Sequence, residues 1–321
     1  MKKAFKIITL IILIFAADFI AGTLLEMYYF GQKQGRYARL GYSINSATDK
    51  MLIFGSSRAT NNFIPSVIEE KFNTTCYNCG TQGQQMLYIL ALQRMILERY
   101  NPEVILFNID YYFLNENKTN YDRLADLLPY LSSHKSIEDL IYLRSPYEKY
   151  KVISKIYPYN SKIARMVTYS ITKQEDFKGY SPMFREIRMK SDKLDYEKKN
   201  FAENGPSKVK NVKLDTNFIK AYEEFISVSL NKGIKVILTI SPDFIPADFS
   251  GSDSFLKIKE ISEKYNLSIM DFSKDSRFNF RTDLFGDVFH LNDKGAKIFT
   301  NILCDTLKTV INNNNKTASL K

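Results

Sequence analysis

The sequence is poor in the residues that build metal sites and disulfide frameworks. Its 321 residues include three cysteines and two histidines. Cys76 and Cys79 form a CxxC pair, but no second pair or nearby histidine completes a zinc site. The pair lies in a predicted extended segment, where side chains three positions apart point to opposite faces. We therefore expect these two cysteines, and Cys304 near the C-terminus, to be small buried hydrophobic residues.

The chain also lacks the patterns of nucleic-acid-binding and nucleotide-binding proteins. Its net charge of +10 is spread along the chain. No RNP-like, finger or basic-zipper pattern accompanies the lysines, which argues against nucleic-acid binding. Gly80 and Gly83 do not form a GxGxxG turn, and no P-loop follows the first predicted strand, which argues against nucleotide binding. The positive charge fits a surface near anionic lipid or an acidic glycan, or lysines that only improve solubility.

A long apolar segment is present at the N-terminus. Residues 4–25 are long enough to span a bilayer, and the lysines before and within their start favour an inside N-terminus with the main domain outside. Asp18 costs ~3 kcal/mol near a helix centre, which the surrounding apolar residues offset. A cleavable signal peptide is the alternative, but Phe15 is a poor −3 residue for cleavage after Ala17. We therefore predict a retained signal-anchor over residues 1–25 and an extracytoplasmic domain.

Strands and helices alternate in the rest of the chain. Short apolar runs that end at glycine, asparagine or aspartate predict buried parallel strands. Such strands, with helices between them, predict an α/β fold, a three-layer α/β/α domain around a five-stranded parallel sheet. The predicted strands are 51–55, 75–78, 103–108, 235–240 and 268–271, and the predicted helices are 65–72, 84–100, 217–231, 254–265 and 292–310.

Composition divides the chain further. A polar, tyrosine-rich connector covers residues 26–50, and the α/β domain covers 51–311. The strand rhythm stops between 111 and 216, a long, partly helical insertion after the third strand. Because α/β sites are built at the carboxyl ends of strands, we expect this insertion to form a lid or a platform. Residues 312–321 form a polar tail that we expect to be disordered.

A serine after the first predicted strand, and an aspartate and a histidine before the last predicted helix, lie at positions that suit acyl transfer. The apolar run 51–54 ends in Gly55-Ser56-Ser57, and Asp287 and His290 precede the last helix. Acyl transfer needs a nucleophile, a base, a group that orients the base, and N–H donors for the oxyanion. In a parallel sheet all strand ends face one rim, so these residues can meet there. Read alone, the glycine–serine sequence favours an ordinary polar turn.

The motifs resemble those of the SGNH (GDSL-like) hydrolase superfamily, whose fold is flavodoxin-like. Gly55-Ser56-Ser57 stands where the family has GDS, and Asn78-Cys79-Gly80 is similar to its second block. Asp287-Val288-Phe289-His290-Leu291-Asn292, followed by Lys294-Gly295, is similar to the last block, DxxHLN. The resemblance implies that Ser57 is the nucleophile, His290 the base and Asp287 its orienting group. It also implies oxyanion donors at the Ser57 and Gly80 N–H groups, and no metal or cofactor.

Two positions depart from the family pattern. The third block carries an oxyanion-binding asparagine, but Asp110 stands there, and Asn108 lies two residues earlier. A carboxylate would oppose an oxyanion, since loss of one such donor already costs ~3–4 kcal/mol. Either Asn108 or another donor substitutes, or Asp110 turns away, or the hole is weak. Ser56 replaces the aspartate of GDS. Arg58 binds an anionic substrate, or it pairs with Asp110 or Glu69.

The serine at position 56, the anchor and the insertion are similar to features of bacterial envelope SGNH-like proteins that act in alginate O-acetylation or teichoic acid D-alanylation. The resemblance implies a membrane-anchored serine esterase or O-acyltransferase that acts on acylated envelope glycans, on the periplasmic side or outside the membrane. A multi-spanning acyltransferase is the partner it implies. The alternative is a non-catalytic accessory protein that binds polysaccharide or the membrane acyltransferase, and Asp110 favours that alternative.

Overall fold

The structure is a computed structural model that describes residues 2–173 and 176–318. It divides into two compact units. Unit one contains Met1–Ser46, Ala91–Arg99 and Asn117–Asp176, and unit two contains Ala47–Leu90, Tyr100–Glu116 and Phe177–Lys321. The predicted insertion is therefore divided: residues 117–176 belong to unit one together with the N-terminal segment, and residues 111–116 and 177–216 belong to unit two.

Unit two contains a five-stranded parallel sheet, as predicted. The order of its strands is β2-β1-β3-β5-β7, and a separate two-stranded pair joins β4 to β6. Each strand of the sheet lies within one residue of its predicted bounds, because each is a short, mainly apolar run. The strands are β1 Met51–Phe54, β2 Cys76–Asn78, β3 Val104–Asn108, β4 Ser207–Lys208, β5 Lys235–Ile240, β6 Ala247–Asp248 and β7 Ile269–Asp271.

Helices connect the strands, and each of the five predicted helices is present. Between Asn117 and Asp176 the helices are short and several are of the 3₁₀ type. The α-helices are α1 Lys2–Phe30, α2 Gly35–Asn45, α3 Ser57–Asn62, α4 Pro65–Phe72, α5 Met86–Leu97, α6 Lys118–Arg123, α7 Glu138–Tyr142, α8 Glu148–Lys151, α9 Ile163–Ile171, α10 Ser191–Asn204, α11 Thr216–Asn231, α12 Asp253–Lys264 and α13 Asp293–Ala318.

Helices of unit two cover both faces of the sheet. Phe54 and Phe107 on neighbouring strands pack against Phe225 of α11 on one face. The alternate residues, including Ile53 and Leu106, join the buried cluster formed with α3, α4 and α13 on the other face. The three cysteines are free and buried, which confirms the prediction that they are core residues.

The N-terminal segment forms α1, a helix long and apolar enough to cross a membrane by length and composition. The predicted connector is mainly helical, since α1 continues to Phe30 and α2 follows. In the predicted tail, residues 312–318 continue α13, and residues 319–321 lie outside the described residues, as do residues 1, 174 and 175.

Candidate active site

The turn after β1 places Ser57 at the carboxyl end of the sheet. Gly55 has φ +147°, and a Cβ there would lie 2.8 Å from both the Ala59 Cβ and the Asn108 carbonyl oxygen, so only glycine fits. Ser56 is the N-cap of α3, where its Oγ accepts from the Arg58 N–H at 3.3 Å. Ser57 is therefore the first residue of α3, and its N–H belongs to a helical turn whose N–H groups lack intrahelical acceptors.

Asp287 and His290 form a closed loop before α13. The His290 Nδ1 lies 2.9 and 3.0 Å from the two Asp287 carboxylate oxygens. The backbone N–H groups of Phe289 and His290 donate to Asp287 Oδ1 at 2.8 and 2.9 Å. Burial alone would raise the pKa of Asp287, but these hydrogen bonds outweigh burial and hold the pKa below its ordinary value. Asp287 is thus an ionised group that fixes the imidazole ring.

The structure brings Ser57 and His290 together, although 233 positions separate them. The Ser57 Oγ lies 2.8 Å from the His290 Nε2. The order Asp287–His290–Ser57 is the geometry in which imidazole takes a proton from a serine hydroxyl. His134, the other histidine, lies in unit one, where its Nδ1 contacts Glu98 at 2.5 Å.

A buried asparagine connects the helix that carries Ser57 to the segment that carries His290. Asn62, at the end of α3, accepts from the Leu291 N–H at 3.0 Å and donates to the Ser241 Oγ at 3.0 Å. It is fully buried. Because Ser57 starts the same short helix and His290 precedes Leu291, this hydrogen bond sets the distance between serine and histidine.

The predicted start of α13 is also confirmed. Asn292 is positioned before the helix and accepts from the Gly295 N–H at 2.9 Å, while its amide donates to the Asp283 carbonyl at 3.0 Å. Any Cβ at Gly295 would overlap the Leu284 carbonyl oxygen. Asparagine and glycine at these positions therefore let α13 start at Asp293, shortly after His290, while it packs against the preceding segment.

Asp110 turns away from Ser57. Its carboxylate is fully buried and accepts from the Ser56 Oγ at 2.5 Å and from the Tyr112 hydroxyl. Burial raises the pKa of Asp110. Of the three possibilities for this departure, the structure favours the one in which Asp110 turns away, because the Ser56 hydroxyl binds its carboxylate.

The two predicted oxyanion donors besides Ser57 differ in their contacts in this structure. The Gly80 N–H donates to the Asn78 Oδ1 at 2.9 Å, and the close approach to α3 explains the glycine, since a Cβ would lie 2.7 Å from the Thr60 nitrogen. The Asn108 Oδ1 accepts from the Ser241 N–H at 3.1 Å, and its Nδ2 is buried with no hydrogen-bond partner among the described residues. The oxyanion roles of Ser57, Gly80 and Asn108 stay predictions.

Arg58 pairs mainly with Asp243, a residue that was not predicted. Its Nη1 lies 2.8 Å from the Asp243 Oδ1, while Asp110 is 3.9 Å from Nε, and Glu69 pairs with Lys178 instead. Other N–H groups donate to Ser241 and Pro242. Burial alone would lower the pKa of Arg58, but the two aspartates raise it above its ordinary value. Arg58 is therefore a permanent charge held at the rim of the site.

A cavity of 430 Å³ opens beside the Ser57 hydroxyl. Its wall is aromatic and apolar except for Arg58, Asp243 and the serine–histidine pair, a composition that suits a ligand with both apolar and hydroxyl groups. The lining residues are Ser57, Arg58, Tyr111, Tyr112, Asp243, Ile245, Ala247, Val288, Phe289 and His290.

The residues that sequence reasoning missed here are Asn62, Ser241 and Asp243. Asp243 is three residues beyond β5, so the rule that sites form at the carboxyl ends of parallel strands offered a signal for it and for Ser241. For Asn62 no such signal existed, because only the folded chain shows that it meets Leu291. No protein-family model matches the chain, and a search of curated proteins finds no match.

Proposed function

We propose that the protein is a membrane-anchored, extracytoplasmic serine esterase or O-acyltransferase that acts on acyl esters of envelope glycans. The observation that carries the proposal is the 2.8 Å contact between the Ser57 Oγ and the His290 Nε2, together with the Asp287 carboxylate on the opposite ring nitrogen. This arrangement supplies a nucleophile, a base and an orienting group in one place.

The reaction follows from these three side chains. Ser57 Oγ forms a bond to the ester carbonyl carbon while its proton passes to His290 Nε2. The carbon–oxygen bond to the leaving alcohol then breaks, and that alcohol takes the proton from Nε2, which leaves an acyl group on Ser57. Water or a sugar hydroxyl gives its proton to Nε2 and attacks the acyl carbon, and Ser57 leaves with the proton returned. Asp287 stabilises the imidazolium in both steps. The developing oxyanion is assigned to the N–H groups of Ser57 and Gly80, the second after exchange of its present hydrogen bond.

The cavity supports a substrate that carries hydroxyl groups. Tyr111 and Tyr112 offer flat amphipathic surfaces beside the nucleophile, and Tyr111 is held by stacking on Phe249 at 4.8 Å. The Asp243 Oδ2 is buried and has no hydrogen-bond partner among the described residues, so it is ready to accept from a substrate hydroxyl. The envelope location comes from α1 and from the family resemblance, and a membrane acyltransferase that delivers the acyl group is the partner we propose.

Turnover of a generic acetyl ester by the full-length protein in detergent tests the proposal. Residues 1–46 belong to unit one, so the chain is kept intact. Ser57→Ala and His290→Ala are each expected to lower kcat by roughly 10⁴-fold or more. His134→Ala is the matched control and is expected to keep full activity. Absence of turnover together with absence of labelling by a serine-directed fluorophosphonate would favour the non-catalytic accessory role.

A further inference from the structure

Asp18 lies too deep in the proposed membrane anchor to be hydrated at the surface. A helix rises about 1.5 Å per residue, so Asp18 lies about 21 Å from Ala4, within a hydrocarbon core about 30 Å thick. Carboxylates at such depth need partners from the protein. The structure provides them: the Ser154 Oγ donates at 2.6 Å and the Lys155 N–H donates at 2.7 Å, and the Ile156 N–H lies at 3.4 Å.

From this contact we infer that residues 147–156 of unit one enter the outer leaflet of the membrane alongside α1, with Asp18 as the acceptor for their backbone. The inference takes α1 as the proposed anchor and goes beyond it, because it adds a second lipid contact. We assign the bilayer itself as the partner of this segment. Its exposed side chains, the positions of its lysines and its contacts with α1 favour the bilayer.

The 147–156 segment exposes a continuous apolar face. Tyr147, Tyr150 and Ile153 are 68%, 59% and 64% exposed. They are three residues apart, and the hydrogen bonds from the Ile153 N–H to the Tyr150 carbonyl and from the Tyr150 N–H to the Tyr147 carbonyl put them on one side. Tyrosine is enriched at the membrane–water interface, and isoleucine at the level of Asp18 suits the acyl chains.

Lys155 shows which direction leads out of the membrane. Its backbone N–H is at Asp18, its aliphatic stem packs against Gly22, and its Nζ reaches the Glu26 Oε2 at 2.6 Å. The Lys155 ammonium group therefore lies two turns nearer the C-terminal end of α1 than the Lys155 backbone does. Long basic side chains lie in this way when their backbone is in lipid and their charge is at the interface.

Lysines flank the apolar face as well. Lys149 and Lys151 are exposed on α8, next to Tyr150. Basic residues beside anionic lipid headgroups add electrostatic attraction to the burial of apolar side chains. Apolar side chains between lysines are the pattern of a segment that lies in the interface rather than in water.

Depth-dependent fluorescence quenching tests the inference on the full-length protein in phosphatidylcholine–phosphatidylglycerol nanodiscs. Single cysteines replace Ile12, Ile153 and Lys259 and carry an environment-sensitive dye, and the native cysteines are buried. Ile12 reports the anchor, and Lys259 on α12 is the aqueous control. We expect lipids with a nitroxide on the acyl chain to quench most of the emission at Ile12 and Ile153 and little at Lys259.

The outcomes distinguish the membrane anchor α1 from the membrane insertion of residues 147–156. Emission that is unquenched at Ile12 would overturn the anchor and, with it, this inference. Quenching at Ile12 but not at Ile153 would overturn the inference alone and assign the apolar face to a protein partner. As a second measurement, Asp18→Ala should accelerate amide hydrogen exchange at Lys155 by roughly tenfold or more. Thr23→Ala, also on α1, is the control, and equal exchange in both variants would reject the role of Asp18.

Discussion

Replacement of Asp287 by asparagine tests how the imidazole is oriented. Asp287 accepts from three N–H groups: those of the Phe289 and His290 backbone and the His290 Nδ1–H. In the variant, the amide oxygen can keep the backbone bonds, and the amide nitrogen then faces Nδ1. Because two donors cannot face each other, the imidazole proton moves to Nε2, and Nε2 can no longer accept the proton of Ser57.

The expected loss in kcat is about 10⁴-fold, equivalent to ~5 kcal/mol of transition-state stabilisation. KM should change little, because Asp287 does not line the cavity. Steady-state kinetics on an acetyl ester measure both constants. Asp283→Asn is the matched control: that carboxylate lies on the same segment but pairs with Arg281 and Lys294. A kcat within about tenfold of the wild type in Asp287→Asn would refute the orienting role.

Three further predictions concern positions that support the site or the fold. Asn62→Ala should lower kcat and also destabilise the fold by ~1–3 kcal/mol, because the buried Leu291 N–H loses its acceptor. Steady-state kinetics measure the first effect and denaturant unfolding measures the second. An unchanged kcat would contradict the positioning role of Asn62. Gly55→Ala should lower the stability of the fold by ~2 kcal/mol or more, because the new Cβ overlaps its neighbours and the φ at this position is +147°. Thermal unfolding measures the loss. Gly251→Ala is the control and should be neutral in the same assay, because the space around Gly251 is open. Burial lowers the pKa of Lys162 to about 8, so unfolding takes up a proton between that value and about 10.4, and stability rises with pH across this window. Between pH 7 and 9 the gain relative to Lys162→Met should be roughly 1 kcal/mol, and parallel stability curves for the two proteins would rule it out.

The sheet could be predicted from the sequence because local signals determine it. The strands of the five-stranded sheet are short, mainly apolar runs with polar ends, and four of them are almost wholly buried, so no alternation had to be recognised. The helix α4 could likewise be predicted with its bounds, from its proline at the first position and its apolar spacing. In these elements local preference and tertiary packing agree.

The helix that carries Ser57 could not be predicted in this way. Its residues SRATNN have no apolar periodicity, and Arg58, Thr60, Asn61 and Asn62 are all buried. Their polar groups are satisfied by distant segments, such as Ser241 for Arg58 and Ser181 for Asn61. Only the folded chain supplies those partners, and a polar sequence without them reads as a loop.

Some features of the candidate site could likewise be predicted from local signals, and others could not. The positions of the serine, histidine and aspartate followed from strand-end geometry and the motif resemblance, since both fix residues to element boundaries. Side-chain directions did not follow, and for that reason the orientation of Asp110 and the partner of Gly80 appeared only in the structure. The pairing of Arg58 with Asp243 depends on a contact 185 positions apart, which no local pattern encodes.

Labelling of the active-site serine is the most direct test of the central claim. The full-length protein is treated with a fluorophosphonate, digested, and sequenced by tandem mass spectrometry. We expect one adduct at Ser57, with none at the adjacent Ser56, whose hydroxyl donates to Asp110. We also expect that His290→Ala abolishes the adduct. An unlabelled Ser57 in folded protein, or a label that persists in His290→Ala, would contradict the proposed serine–histidine mechanism.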